Sequence, residues 1–302
     1  MLGSIFALSS ALFWAIAVIL FKKAGECFSP LSLNIYKSMV ALILVALTMV
    51  ILGIPFVPDV ATEDWLLLAL SGFLGITLAD LCFFIALNRL GASMVAVVEC
   101  LYLPSVLFFS FFLLEERLGL GGILGGILVM SAILVGALSS PQKSHNPTAP
   151  GSRPVSPGSI RAGIVTGCLG IIFMALGIVM VKDVLEHTNV FWATLVRVGA
   201  GALTLGIMVF FHPKRKRYLN ELKFSKSWYT ALPASVCGNF IALLFWVAGM
   251  KYTTASRAGI LNQMSTIFIF ILAAVWLKEP ITPHRGIAIC LAVTGAYLTI
   301  IN

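Results

Sequence analysis

Four ionisable residues, Lys37, Asp80, Glu99 and Arg197, stand inside otherwise apolar stretches. A charge at the centre of a bilayer costs at least about 2.5 to 3.5 kcal/mol on insertion scales, so each is a functional candidate. Two carboxylates held close and partly desolvated cannot both be charged cheaply. Such a group can take up a proton, exchange it for a cation, or hold a substrate amine. Lys37 and Arg197 could hold a carboxylate or gate a cavity; alternatively, Lys37 and Asp80 neutralise one another as a structural pair. Polar residues form short stripes around these charges: Asn34, Lys37 and Ser38; Thr194, Arg197, Gly201 and Thr204; Asn262, Ser265 and Thr266; and Thr77 with Asp80. Stripes on four helices either converge on one wet interior or serve as pairwise packing bonds worth about 0.6 kcal/mol each. Gln263 and Asn239 would add hydrogen bonds. Tyr102, one turn from Glu99, is the preferred aromatic contact for an amine. Trp14, Tyr36 and Trp246 could form walls, whereas Trp192, at a helix start, reads as an interfacial belt residue.

These side chains need a membrane-embedded frame. The 302 residues are 60% hydrophobic and 11% charged, with a mean hydropathy of +1.03, too little polar surface for a soluble fold. Ten segments are apolar and long enough to cross about 30 Å of hydrocarbon as helices. They fall at 4–21, 33–52, 66–87, 93–113, 118–138, 161–181, 191–211, 230–250, 256–276 and 285–301. The first lacks the basic start of a signal peptide and is kept as a helix. The six cysteines form no C-x-x-C pair and read as small packing residues. Phosphate-loop, G-x-S-x-G and H-E-x-x-H motifs are absent and the four histidines are scattered, so neither enzyme chemistry, a cofactor nor a metal site is expected. Overlapping G-x-x-x-G patterns at Gly121, Gly122, Gly125 and Gly126, and Gly163 with Gly167, predict close helix packing.

The chain repeats itself. Asn88 to Leu138 returns at Lys251 to Ile301, and a shift of 163 lays Ser93 on Ser256, Glu99 on Asn262 and Glu116 on Glu279. Nearer the start of each half, a shift of 160 lays Phe13 on Phe173, Lys22 on Lys182 and Lys37 on Arg197. Residues 139–160 hold five prolines and six serines and predict a disordered linker between a first repeat at 1–138 and a second at 161–302. Five helices per half is an odd number, so the halves enter the membrane from opposite sides. The expected fold is therefore all-α and integral to the membrane, with ten transmembrane helices as two inverted five-helix repeats. Asp80 and Glu99 would lie about 10 Å below one surface. The corner glutamates Glu116 and Glu279 are expected to cap helices or pair with Arg117 and its neighbours.

Phe13-Trp14 in the first helix, the basic residue early in the second and seventh helices, the K-Y-T-x-A-S-R-A run at Lys251 to Ala258, and the corners after the fourth and ninth helices resemble the drug/metabolite transporter superfamily, EamA type. The likeness spans essentially the whole chain. Three positions depart from its pattern: Lys37 stands where Arg is commoner, Glu115 replaces a corner Gly, and Lys278-Glu279-Pro280 replaces G-E-R. The resemblance implies transport of small organic solutes without ATP.

Leaving aside Lys37 and Arg197, fourteen basic residues fall on the face carrying the linker and four, Arg117, Lys182, Lys251 and Arg257, on the face carrying the termini. The positive-inside rule then puts the linker in the cytoplasm, whereas eukaryotic sugar-nucleotide relatives are thought of with cytosolic termini. The run Lys214 to Arg217 reads as a topological anchor on anionic lipid, not a nucleic-acid site. The expected protein is a multi-pass transporter of the inner cell membrane, monomer or homodimer, exporting an amino acid or related amine in exchange for protons. Rival readings are a carrier of phosphorylated or nucleotide-linked solutes, and a translocase of lipid-linked head groups or a membrane scaffold.

Overall fold

The computed structural model describes residues 1–25, 27–138, 157–223, 227–276 and 283–301, and all regular structure among them is helical. The first half contains α1 (Leu2–Ala24), α2 (Pro30–Leu52), α3 (Thr62–Gly72), a π-helical stretch (Phe73–Ala79), α4 (Asp80–Glu99), α5 (Tyr102–Leu114) and α6 (Leu120–Leu138). The second contains α7 (Pro157–Val179), the short α8 (Lys182–His187), α9 (Val190–Phe211), the short α10 (Arg215–Glu221), α11 (Trp228–Ser235), a second π-helical stretch (Val236–Ala242), α12 (Leu243–Tyr252), α13 (Ala255–Asn262), α14 (Met264–Trp276) and α15 (Pro283–Ile301). Most of the expected linker, and Glu279, lie outside the described residues. Residues 157–160, expected in the linker, are already helical; Pro157 suits a first turn because its missing N–H is not needed there.

Six helices among the described residues are long and apolar enough to cross a membrane, with shorter apolar helices at Tyr102–Leu114, Leu120–Val135 and Gly286–Ile301. Two of the expected spans are not single rods. The chain turns at Cys100 and Leu101 between α4 and α5, and again at Gln263 between α13 and α14. Pro104 supplies no N–H to continue the first helix past Cys100. These breaks, and the two seven-residue π-helical stretches, recur 163 positions apart, as the sequence repeat requires. The expected turn between the third and fourth spans is also present. A Cβ on Gly167 would stand 3.0 Å from Val98 Cγ1 and 3.3 Å from Ala86 Cβ, whereas a straight helix would separate those two residues by about 18 Å. The chain therefore doubles back within α4.

The halves interlock. α6 lies along α15, where a Cβ on Gly125 would sit 2.6 Å from the Gly295 carbonyl; α7 packs on α4 through Gly163 and Gly167. The glycines thus permit close helix approach, as their spacing predicts. Large apolar side chains such as Ile43, Leu47, Ile51 and Phe112 point outward, the face a lipid-embedded protein presents. The two largest buried clusters among the described residues lie on either side of the interior. One gathers Met49, Leu68, Leu185, Trp192, Val247 and Met250; the other gathers Phe21, Phe28, Tyr36, Phe83 and Phe84. Trp192 corrects an expectation: it is no belt residue but fully buried, its Nε1 donating to the Phe56 carbonyl at 3.1 Å and its ring edge-on to Trp65.

Two acids cap helices of the opposite half. The Glu116 carboxylate accepts from the Ala255 and Ser256 amides at 2.8 and 2.9 Å and from Ser256 Oγ at 2.7 Å, satisfying orphan donors at the start of α13. Its partners are these, rather than Arg117. Glu221 accepts from the Ser29 amide at 2.9 Å, at the start of α2.

Candidate functional site

Between the two apolar clusters lies a cavity enclosing about 930 Å³ of non-protein space, its mouth included. Its apolar walls come from both clusters. Tyr102 and Trp246, ring centroids 6.1 Å apart, belong to one; Phe83, 6.4 Å from Trp14, belongs to the other. The polar lining is Ser10, Asp80, Glu99, Arg197, Asn239, Asn262, Gln263 and Ser265, with Tyr102. Both helix breaks and both π-helical stretches open onto it, through Glu99, Asn262 and Gln263 and through Gly75, Ile76, Gly238 and Asn239. Irregular backbone at this depth is tolerated where it lines a cavity, and broken helices at a repeat interface are how many transporters form a midplane site.

The two intramembrane cations, matched by the repeat, differ sharply in what surrounds them. Lys37 is 1% exposed and donates to Asp80 Oδ2 at 2.5 Å and to Asn239 Oδ1 at 2.9 Å, with the face of Phe84 5.5 Å from its nitrogen. It is not among the residues lining the cavity, and its ion pair with Asp80 is the contact the pairing expectation described. Arg197 is 4% exposed and reaches the cavity, and its Nε and Nη1 have no hydrogen-bond partner. Two positions account for the difference. Leu243 stands 163 residues after Asp80 and Ile76 stands 163 before Asn239, so neither partner of Lys37 has a polar counterpart beside Arg197.

Glu99 reaches the cavity, and no side chain among the described residues pairs with it; its backbone carbonyl accepts from Gln263 Nε2 at 3.3 Å, joining the two breaks. Asp80 and Glu99, expected near one another, both line the cavity, and Asp80 is paired with Lys37. Asn262 presents an unpartnered buried Oδ1. Asn34 and Thr194 do not line the cavity: Asn34 donates to the Ile76 carbonyl at 2.9 Å, supporting the π-helical stretch, and Thr194 is buried elsewhere on α9. Thr77 bonds across to the Gly201 carbonyl at 3.1 Å, so that stripe serves packing.

Gly72 was silent in the sequence yet positions Arg197. A Cβ there would stand 2.1 Å from the Arg197 carbonyl oxygen, so α3 and α9 cross backbone to backbone at the turn that carries the guanidinium. Among the described residues no cluster of His, Cys, Asp and Glu could hold a metal ion, and no disulfide joins the described cysteines.

Comparison with known proteins agrees with this architecture. No curated protein matches the chain. A crystal structure described only as that of a protein is 16% identical and superposes with a TM-score of 0.77, covering 99% of this chain and 96% of its own; at that identity the likeness shows the fold alone. The model of the EamA-like transporter family matches residues 1–137 and again 161–301. The chain is thus a member of the EamA-like transporter family, within the drug/metabolite transporter superfamily: a multi-pass, non-enzymatic membrane transporter with a small-molecule substrate.

Proposed function

We propose that the protein is a secondary active exporter of amino acids or related zwitterionic amines, working by alternating access in exchange for protons across the inner cell membrane. The observation that carries this reading is that Arg197, whose Nε and Nη1 have no hydrogen-bond partner, lines the same cavity as Glu99, a carboxylate in no salt bridge among the described residues. A guanidinium with free donors binds a carboxylate through charge-assisted hydrogen bonds. A carboxylate without a fixed cation can hold a substrate ammonium in one leg of a cycle and a proton in the other. Apolar walls of Trp14, Ile171, Met174 and Trp246 suit the body of such a solute.

A phosphorylated or nucleotide-linked solute carries two or more negative charges and is less well matched. Among the described residues that line the cavity only Arg197 is cationic, and Lys37 is paired with Asp80 outside that lining.

The test is ligand-induced thermal stabilisation of the purified protein in detergent, screening amino acids, quaternary amines, sugar phosphates and sugar nucleotides. An amino acid should stabilise wild type, with the effect lost in Arg197→Gln and in Glu99→Gln. Stabilisation by phosphates alone, needing Arg197 but not Glu99, would overturn the reading in favour of an anion carrier.

A further inference from the structure

An ammonium group has donors and no acceptor. The Asn239 atom 2.9 Å from Lys37 Nζ must therefore be the carbonyl Oδ1, and the orientation of this amide follows from chemistry rather than choice. Its Nδ2 is turned away from Lys37. That nitrogen is buried without a partner on a side chain only 5% exposed, and Asn239 lines the cavity. Lys37 cannot swing away, because Asp80 holds it at 2.5 Å. The first-half cation is thereby committed to fixing a second-half amide, while its counterpart Arg197 is left open to the cavity.

We propose that Asn239 Nδ2 is a second donor to the substrate carboxylate that Arg197 binds, and that Lys37, anchored by Asp80, is a positioning residue that keeps this donor facing the site. The proposal rests on the zwitterion reading above. A carboxylate gripped by two guanidinium N–H groups retains lone pairs for a neutral donor, and an amide fixed in advance loses no orientational freedom when it binds. Asn239→Asp is the sharpest change. It is nearly the same shape but replaces the donor with an anionic acceptor on the same cavity as Arg197, so it opposes a carboxylate while leaving an ammonium unopposed.

The experiment uses the full chain in detergent, with a panel of the standard amino acids and, for each that binds, its carboxamide, which keeps the ammonium and side chain but lacks the carboxylate. Wild type should bind an amino acid and discriminate against its carboxamide. Asn239→Asp and Asn239→Leu should each weaken amino-acid binding by about tenfold or more, the scale of one buried donor lost from a charged acceptor, with carboxamide binding not weakened. The double variant Lys37→Met/Asp80→Leu removes the pair without stranding a charge. It should lower the ratio of amino-acid to carboxamide affinity, whereas a purely structural role would weaken both alike. Wild-type affinity in both Asn239 variants, with Arg197→Gln still inactive, would overturn this inference and leave the zwitterion reading standing. No binding of any amino acid to wild type would overturn both.

Discussion

At the scale of single residues, the positions that depart from the family pattern have separate physical consequences. Glu115 follows α5 with φ +53°, the only positive φ at a non-glycine among the described residues. A side chain in that conformation costs about 1 to 2 kcal/mol, part of which glycine returns as extra freedom of the unfolded chain. Glu115→Gly should therefore stabilise the protein by roughly 0.5 to 1 kcal/mol. Thermal melting in detergent checks this, with Glu115→Ala as the control that keeps the strain; equal melting of the glycine and alanine variants would remove strain as the explanation. Lys37, where arginine is commoner, is accounted for by its site: one compact ammonium serves Asp80 and Asn239 together, without need of a fork. The charges themselves were legible in the sequence because an ion in an apolar helix has few innocent explanations. Which cation is free was not. That depended on Leu243 and Ile76 occupying the places equivalent to Asp80 and Asn239, and an apolar residue in an apolar helix carries no signal until the halves are superposed in space.

Elements bring these residues together through discontinuities that hydropathy does not reveal. A window of apolar residues reads the same whether the helix is continuous, π-helical or broken, so ten uniform spans were expected where the fourth and ninth are each two shorter helices. The polar residues at the breaks, Glu99, Asn262 and Gln263, were legible; the breaks were not, although Pro104 is a cue in the first half. Gly72 shows the same limit, since one of 26 glycines has no visible role until its neighbour is known. The crossing of α3 over α9 makes a sharp prediction. Gly72→Ala would place a methyl group 2.1 Å from the Arg197 carbonyl, a contact relieved only by moving backbone. The variant should lose about 1 to 3 kcal/mol of stability, as overpacked sites do, and also lose ligand-induced stabilisation because the guanidinium is displaced. Gly206→Ala, on α9 with nothing within 4 Å, should do neither. Equal melting and equal binding in the two variants would show that the crossing has slack.

For the whole molecule, contacts sort the charges by end. Gly3 lies against Tyr252 and Thr253, Glu116 caps α13, Lys251 donates to the Thr188 carbonyl and His187 meets Asp64, all at one end; Glu221 caps α2 at the other. The His187 to Asp64 contact at 3.0 Å joins the halves, and the hydrogen bond to Asp64 raises the imidazole above its ordinary value. A raised folded-state value means that the stabilisation is fully present below pH about 6.5 and is lost as pH rises through the raised value. It is small, because the ring is 56% exposed and solvent-screened. NMR titration should place the His187 midpoint above 6.5, with Asp64→Asn returning it towards the ordinary value; a wild-type midpoint at or below 6.5 would remove the pair as a pH-dependent link. The same end carries Asp59, Glu63, Asp64, Glu115, Glu116, Asp183 and Glu186 against only four of the basic residues outside the membrane, Arg117, Lys182, Lys251 and Arg257. Retention of cations on the cytoplasmic side acts on short loops close to the helix ends, and carboxylates count little, so the linker end is predicted to be cytoplasmic. In a cysteine-free background, Glu63→Cys should then react with a membrane-impermeant maleimide added to intact cells, and Ser144→Cys should react only after permeabilisation. The opposite pattern would mean that the basic residues do not set the orientation of this chain. Proton exchange would then run through the Glu99 cavity in the inverted sense.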